Sequence, residues 1–286
     1  MRATSAPAGE RPLMPLTIDQ AQRYSRQMLL EGVGAHGQER LLASSVLCIG
    51  AGGLGSPVLS YLAGAGIGRI GIMDGDRLEL SNLHRQVIHS TRDLGRPKAE
   101  SACSRLRMLN PDAEVEIYSE ALNRENALRI IPRYDALVDA SDNFPTRFLA
   151  NDACFLAGKP LFFGSAVAWE GQAASFFTSG PAGPCYRCLF GDVPPLGAAP
   201  SANEIGILGP VAGVIGAIQA AECIRHLAGL GAALAGRLLV HNGAQMSFRH
   251  IPLRRNPDCP LCGDRPTISR SALPDYTGAL GTNLET

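Results

Sequence analysis

The stretch "LCIGAGGLGSP", residues 47–57, decides the fold of this chain. A short apolar run precedes Gly50, Gly52 and Gly55, which have the G-x-G-x-x-G spacing, and the residues after them favour a helix. We expect Gly50 to permit the tight turn, Gly52 to let the backbone approach a phosphate or ribose, and Gly55 to allow close helix–sheet packing. Free N–H groups at the helix start attract an anion. The stretch therefore predicts a nucleotide site; the alternative is a tight structural turn without a ligand.

Strands and helices alternate on both sides of this stretch. The predicted strands "SVLCIG", "RIGIMD", "EVEIY", "YDALVDA" and "PLFFGSAV" are separated by helical segments. Such alternation predicts a Rossmann-like α/β fold with a doubly wound, mostly parallel sheet that binds ligands at its carboxyl edge. After Trp169 we predict a further strand and a Pro- and Gly-rich crossover loop over 180–209. A helix with Pro210 in its first turn and Gly229 after its end follows, and then two strands that form an antiparallel extension.

The composition limits the function classes. The chain has 286 residues, 45% of them apolar, with 26 basic and 26 acidic side chains, so nothing favours a nucleic acid or a membrane surface as partner. We see no secretion signal and no uninterrupted apolar run of membrane-spanning length, which favours a cytoplasmic location. The predicted organisation is a disordered arm over 1–16, one domain over 17–265 and a loose tail over 266–286.

Charged residues after the glycine loop separate an ATP site from an NAD site. Asp74 ends the second strand, where a carboxylate accepts the hydroxyls of a ribose in either kind of enzyme. Arg85 and Lys98 follow it, and Lys98 is one of only two lysines in the chain. Fixed cations stabilise charge that grows on phosphoryl oxygens, which a hydride transfer does not need. Asp142, at the end of another strand, is a candidate Mg²⁺ ligand. Taken singly, Arg85 and Lys98 are equally compatible with solvated surface charges.

Five motifs together resemble those of the ThiF/MoeB/HesA family of ubiquitin-activating-like adenylyltransferases. They are "RYSRQ", "GAGGLGSP", "SNLHRQ", "GRPKAES" and "SDNFPTR", in the family's order and spacing, and the similarity runs from about Thr17 to Cys262. The chain is most similar to the MoeB type without a rhodanese-like domain. The resemblance implies ATP-dependent adenylation of the C-terminal carboxylate of a small ubiquitin-like sulfur-carrier protein that ends in Gly-Gly, with release of pyrophosphate.

The resemblance also assigns residues. It implies that Arg26 reaches the triphosphate of the neighbouring subunit in a homodimer, and that Asp142 is associated with magnesium. The remaining residues implied to contact ATP are Gly53 and Asp74 on the adenosine half, and Ser81, Asn82, Arg85, Lys98 and Asn143 toward the phosphates. Two alternatives stay open: an NAD-linked oxidoreductase with a structural zinc, and a non-catalytic nucleotide-binding partner of an activating enzyme.

Two Cys-x-x-Cys pairs predict a metal site. "CYRC" supplies Cys185 and Cys188, and "CPLC" supplies Cys259 and Cys262. Four thiolates complete a tetrahedral Zn²⁺ site with no open position for water, so we predict a structural role; two redox dithiols are the alternative. The four single cysteines are predicted to be small buried hydrophobes: Cys48, Cys103, Cys154 and Cys223.

The crossover loop predicts how far the reaction goes. Several relatives carry a cysteine just before the "E-x-G-x-x-G-P" run and form a covalent bond with the carrier there. This sequence has Ala202 at that position and no cysteine between Cys188 and Cys223. Because covalent capture needs an exposed thiolate, we expect the reaction to stop at the acyl-adenylate, with the sulfur coming from a separate donor.

Overall fold

A single mixed sheet organises the protein. The computed structural model describes residues 13–177, 183–195 and 202–276. The strands are β1 (Ser45–Ile49), β2 (Arg69–Met73), β3 (Glu114–Tyr118), β4 (Ala136–Asp139), β5 (Leu161–Val167), β6 (Glu170–Phe176), β7 (Arg237–Asn242) and β8 (Ser247–Pro252). Within the described residues their order across the sheet is β3-β2-β1-β4-β5-β6-β7-β8. Neighbours from β3 to β5 are parallel, and β6, β7 and β8 add antiparallel pairings. The predicted fold class is confirmed.

Helices cover both faces of the sheet. They are α1 (Ile18–Arg23), α2 (Ser25–Met28), α3 (Gly34–Ala43), α4 (Gly55–Ala65), α5 (Lys98–Leu109), α6 (Arg124–Ile130), α7 (Phe144–Ala157), α8 (Tyr186–Phe190), α9 (Ala202–Ile205) and α10 (Gly209–Ala228). One apolar core lies between the sheet and α4, α5 and α10, and a second between the sheet and α6, α7 and α8. The single cysteines Cys48, Cys103, Cys154 and Cys223 are all buried, as predicted.

The strand ends place three loops side by side. Ile49, the last residue of β1, pairs with Met73 of β2 on one side and with Asp139 of β4 on the other. Because the three strands are parallel, the segments that follow them leave the sheet at the same edge. The glycine loop therefore lies between the segment that begins at Asp74 and the one that contains Asp142.

Helix α10 is long and apolar enough to cross a membrane by length and composition, which the sequence analysis did not anticipate. In the structure it is a core helix: Val211, Ile215 and Cys223 are buried against the sheet. Gly216 brings it against the start of α4, since a Cβ atom there would lie 2.3 Å from the carbonyl oxygen of Leu54.

The stretch "TIDQAQRYSRQMLL", residues 17–30, predicts one helix capped by Thr17 or Asp19, but the structure divides it into α1 and α2. Thr17 caps α1 as expected, and its hydroxyl accepts from the N–H of Gln20 at 3.2 Å. The helix ends at Tyr24, which has φ of −96° and ψ of 5°. Its side chain is buried, and its hydroxyl accepts a hydrogen bond of 2.9 Å from Asn110. This anchoring of Tyr24 explains the break. Residues 1–12 of the predicted disordered arm lie outside the described part of the chain.

Two regions predicted to be irregular carry buried structure. The crossover loop over 180–209 contains α8 and α9, and Tyr186 of α8 is buried. The guanidinium of Arg187 donates to Asp152 of α7 with its Nε at 2.9 Å and its Nη2 at 3.0 Å. Tyr276, in the segment predicted as a loose tail, hydrogen-bonds to both side chains. Within the predicted tail, Leu273 and Tyr276 are buried in the core that contains α7 and α8, and residues 277–286 lie outside the described part.

Candidate functional site

A cleft of about 220 Å³ opens at the carboxyl edge of the sheet, where the loops after β1, β2 and β4 meet. Eight of the residues predicted to bind the nucleotide line it: Gly50, Gly52, Gly53, Asp74, Arg85, Lys98, Asp142 and Asn143. The parallel sheet brings these side chains together from widely separated positions in the sequence. The cleft thus brings together most of the residues that the motifs predicted to bind a nucleotide.

The glycines of the loop perform different tasks. Gly50 has φ of +92°, which an L side chain rarely adopts, and a Cβ atom there would lie 2.7 Å from the carbonyl oxygen of Ala140. Gly55 does not line the cleft; a Cβ atom on it would lie 2.1 Å from the carbonyl oxygen of Gly50. Gly50 therefore makes the turn, and Gly55 lets α4 start directly behind it, as expected. Gly52 and Gly53 form the wall of the cleft.

Asp74 holds the glycine loop as well as facing the cleft. Its Oδ2 accepts from the N–H of Ala51 at 2.8 Å, and its Oδ1 accepts from the N–H of Asp76 at 2.8 Å. Burial raises the pKa of Asp74, while these two N–H donors and Lys98 oppose the rise. Each carboxylate oxygen can accept more than one hydrogen bond, so the group retains capacity for ribose hydroxyls.

Lys98 and Arg85 are two of the cations that line the cleft. Lys98 is the first residue of α5 and is buried, and its Nζ lies 2.7 Å from Oδ2 of Asp76, which is 72% exposed. Arg85 is half-buried, and its Nη1 donates to the carbonyl oxygen of Ser81 at 3.0 Å. An ammonium group that leaves water retains its charge only beside an anion. Asp76 fills that role here, and the phosphates of a nucleotide have the same chemistry.

Asp142 and Asn143 form the opposite side of the cleft. Asn143 caps α7, because its Oδ1 accepts from the N–H of Thr146 at 2.9 Å. Its Nδ2 lies 3.4 Å from Oδ1 of Asp142. Asp142 is exposed, so its carboxylate is available to a hard cation, for which oxygen ligands are preferred.

Three other predicted site residues lie outside the lining of the cleft. Ser81 is exposed, and its hydroxyl donates to Glu79 at 3.3 Å. Asn82 is buried and caps its own turn by accepting from the N–H of Glu79 at 3.1 Å. Arg26 is exposed on α2. The structure therefore does not place these side chains among the residues that form the cleft.

Gln86 and Arg147 are among the polar residues of the cleft that sequence reasoning missed. Both are buried, and neither Oε1 of Gln86 nor Nε of Arg147 has a hydrogen-bond partner among the described residues. Arg147 also donates from Nη2 to the carbonyl oxygen of Ser141 at 3.1 Å, which supports the loop before Asp142. The sequence could have indicated both residues, because Gln86 is the last residue of "SNLHRQ" and Arg147 is the last residue of "SDNFPTR".

The four paired cysteines converge at one point away from the cleft. Their sulfur atoms lie within 4.8 Å of one another, and Cys185–Cys259 is 3.7 Å and Cys188–Cys262 3.3 Å. Two thiolates on one tetrahedral zinc are about 3.8 Å apart, given Zn–S bonds of about 2.3 Å. The residues therefore fit a zinc ion.

The chain matches a known protein family over most of its length. The model of the ThiF family matches residues 24–261. The chain is 52% identical to a "Sulfur carrier protein adenylyltransferase" of Thermus thermophilus, over 94% of this chain and 99% of that protein. It is 47% identical to a "SAMP-activating enzyme E1" of Haloferax volcanii, over 95% and 100%.

A longer relative and a solved structure extend the comparison. The chain is 46% identical to an "Adenylyltransferase and sulfurtransferase MOCS3" of Sus scrofa, over 95% of this chain and 59% of that protein. Its fold is similar to the crystal structure of E. coli MccB, with a TM-score of 0.73 and 24% identity over 85% of this chain and 75% of that one. This second likeness concerns the fold alone.

Proposed function

Because this chain belongs to the ThiF family, we propose that it is an ATP-dependent adenylyltransferase that activates a small sulfur-carrier protein. The carboxylate at the C-terminus of the carrier attacks the α-phosphorus of ATP, the bond from that phosphorus to the bridging oxygen breaks, and pyrophosphate leaves with the bonding electrons. The product is an acyl-adenylate on the carrier. The observation that carries the proposal is the convergence of the glycine loop, Lys98 and Asp142 in one cleft.

Five residues of the cleft have separate tasks in this reaction. Asp74 and Gly53 hold the adenosine half of ATP, and Arg85 and Lys98 neutralise the phosphates. Positive charge fixed at this point stabilises the transition state more than the bound substrates, because negative charge then moves onto the leaving pyrophosphate. Asp142 would hold Mg²⁺, which supplies further neutralisation of the phosphates when bound.

The four cysteines Cys185, Cys188, Cys259 and Cys262 would hold a Zn²⁺ ion with a structural role. The site joins the crossover region to the segment after β8, two parts of the chain whose paired cysteines are 74 positions apart in the sequence. A closed four-thiolate shell has no free position for a substrate or water, so the zinc stands outside the reaction.

Arg26 suggests that the active form is a homodimer. The side chain is exposed on α2 and does not line the cleft of its own chain, so it is free to serve a second copy. Mixing Arg26→Ala with Lys98→Ala tests this arrangement. If the arginine acts across the interface, mixed dimers contain one complete site and regain activity that neither variant has alone; no recovery on mixing contradicts it.

The carrier is not captured covalently, and the sulfur comes from a separate donor. Position 202 is alanine, the single cysteines are buried, and the paired ones are assigned to zinc. Incubation of enzyme, carrier and ATP followed by a non-reducing gel tests this point. A thiol-sensitive conjugate of enzyme and carrier would overturn it, and normal pyrophosphate exchange without a conjugate is the expected result. We place the reaction in the cytoplasm.

The proposal is tested by exchange of labelled pyrophosphate into ATP, with and without a carrier protein ending in Gly-Gly. We expect exchange that depends on the carrier, and its loss in Lys98→Ala and in Asp142→Ala with the fold retained. Lys159→Ala is the matched control, because Lys159 is the other lysine of the chain and lies beyond the far end of α7. Absence of exchange in the wild-type protein would instead favour an NAD-linked or non-catalytic protein.

A further inference from the structure

The backbone of Ala51, at the centre of the glycine loop, is held on both sides of its Cα atom, through its N–H and through its carbonyl oxygen. Its N–H donates to Oδ2 of Asp74 at 2.8 Å. Its carbonyl oxygen lies 2.9 Å from Nε2 of His89, a residue that does not line the cleft. The mechanism above uses Asp74 but gives no task to His89.

The contacts of His89 determine which nitrogen carries its proton. A carbonyl oxygen only accepts, so Nε2 must be the donor to Ala51. The other ring nitrogen, Nδ1, lies 2.8 Å from Oγ of Ser101 on α5, and in the neutral ring it accepts from that hydroxyl. Burial lowers the pKa of His89, which favours the neutral ring. Ser101 is one turn beyond Lys98, so His89 connects the glycine loop to the helix that carries the buried cation.

A second contact holds the next carbonyl in the same way. The hydroxyl of Ser56 donates to the carbonyl oxygen of Gly52 at 2.7 Å and accepts from the N–H of Ile88 at 3.4 Å. Both Ser56 and His89 are buried, so the two carbonyl oxygens point into the protein. Carbonyl oxygens repel phosphates and N–H groups attract them, so a loop that binds a nucleotide needs its carbonyls turned away from the cleft.

We propose that His89 is a positioning residue for the nucleotide: by holding the carbonyl of Ala51, it keeps the glycine loop in the conformation that binds ATP. This inference rests on the proposed function in one respect, that ATP occupies the cleft. Without the hydrogen bond the loop spends part of its time in conformations that do not bind ATP. The apparent dissociation constant for ATP then equals the intrinsic constant divided by the fraction of molecules in the binding conformation. The chemical step at saturating ATP is unchanged.

Two conservative variants separate the two hydrogen bonds of the ring. In His89→Gln the amide nitrogen takes the place of Nε2 and can still donate to Ala51, whereas the contact to Ser101 is lost. In His89→Asn the side chain reaches Ser101 but is too short for Ala51. His226→Gln is the control, because this histidine packs on Phe162 and Phe177 near the end of α10. It lies about 25 Å along the helix from its start at Gly209.

The dissociation constant for ATP with Mg²⁺ is measured by calorimetry without carrier, and the KM for ATP and kcat by pyrophosphate exchange. We expect His89→Asn to raise both constants about tenfold, the factor for one buried hydrogen bond left unmade, with kcat within about twofold. His89→Gln should stay within about threefold of wild type by the same reasoning. Thermal unfolding measures the effect of each variant on the fold.

Three results overturn the inference. One is an equal loss of melting temperature or kcat in both variants with an unchanged affinity for ATP, which is the behaviour of a residue that only packs the core. The second is a larger loss of affinity in His89→Gln than in His89→Asn. The third is a wild-type protein that does not bind ATP. A wild-type protein that binds ATP but exchanges no pyrophosphate contradicts the proposed function alone, because the binding comparison is made without carrier.

Discussion

Replacement of Arg187 by methionine tests how the crossover region is fixed to the domain. Arg187 lies between two of the zinc-ligand candidates, Cys185 and Cys188, and both it and Asp152 are buried. Two of its nitrogens donate to the two oxygens of the Asp152 carboxylate, at 2.9 Å and 3.0 Å. Methionine has a similar length and fills the space, but it leaves the carboxylate buried without its counter-charge.

The expected cost follows from that burial. Asp152 is 0% exposed, so it cannot recover hydration when its partner is removed. Breaking a buried ion pair on one side typically destabilises a protein by about 3–5 kcal/mol. In a domain of this size a change of 1 kcal/mol shifts the melting temperature by about 2–4 °C, so we expect a decrease of about 6–20 °C.

The assay is thermal unfolding of the zinc-loaded protein, which is monitored by calorimetry. Arg105→Met is the matched control, because Arg105 is exposed in the middle of α5 and the substitution removes the same charge. The double variant Arg187→Met/Asp152→Leu buries no unpaired charge and should recover part of the loss. A decrease of less than about 2 °C in Arg187→Met would refute the reasoning. So would a double variant that loses more stability than Arg187→Met and Asp152→Leu lose together.

Three further expectations use other parts of the structure. Gly55→Ala should abolish ATP binding, because its Cβ would lie 2.1 Å from a backbone oxygen of the glycine loop. Gly64→Ala is the control: it lies in the same helix, its Cβ would have nothing within 4 Å, and it should be neutral or slightly stabilising. Calorimetric titration with ATP compares the two variants. Burial raises the pKa of Asp139 above its ordinary 3.8, so at a pH between the unfolded and the folded pKa the folded state retains a proton that the unfolded state has lost. The stability of the protein therefore falls as the pH rises from the unfolded pKa through the folded pKa. Asp139→Asn should therefore gain stability relative to wild type over that range, in melting curves recorded from acid to neutral pH, and a constant difference would contradict the assignment. Cys259→Ser should lower the metal content measured by mass spectrometry to less than one zinc per chain, and an unchanged zinc content would place the ion elsewhere.

The sequence predicted the sheet well because its signals are local. The strands β1, β2, β4 and β5 are short, mostly apolar runs bounded by helices. Glycine at positions 66 and 158 ends α4 and α7 in the left-handed conformation. These patterns depend on a few neighbouring residues. The order of the strands then follows from the fold class.

What the sequence did not reveal depends on contacts between distant parts of the chain. Tyr24 interrupts a helical pattern because Asn110, far along the chain, anchors its hydroxyl. Residues 266–276 have the composition of a loose segment, yet Leu273 and Tyr276 are buried. The task inferred for His89 is of the same kind, since its partners Ala51 and Ser101 come from two other segments. No window along the sequence contains such contacts.

Helix α10 has a consequence for the order of events during protein synthesis. The glycine loop, Lys98 and Asp142 leave the ribosome before this helix, at about 5–20 residues per second. Yet Ala212 of α10 forms part of the cleft wall, and Gln219 donates to the carbonyl oxygens of Asp139 at 2.7 Å and Phe162 at 3.0 Å. A nascent chain that ends before α10 therefore displays every nucleotide motif without a finished site. Cellular ATP stabilises only the chain in which α10 has docked, because a ligand stabilises the state that binds it.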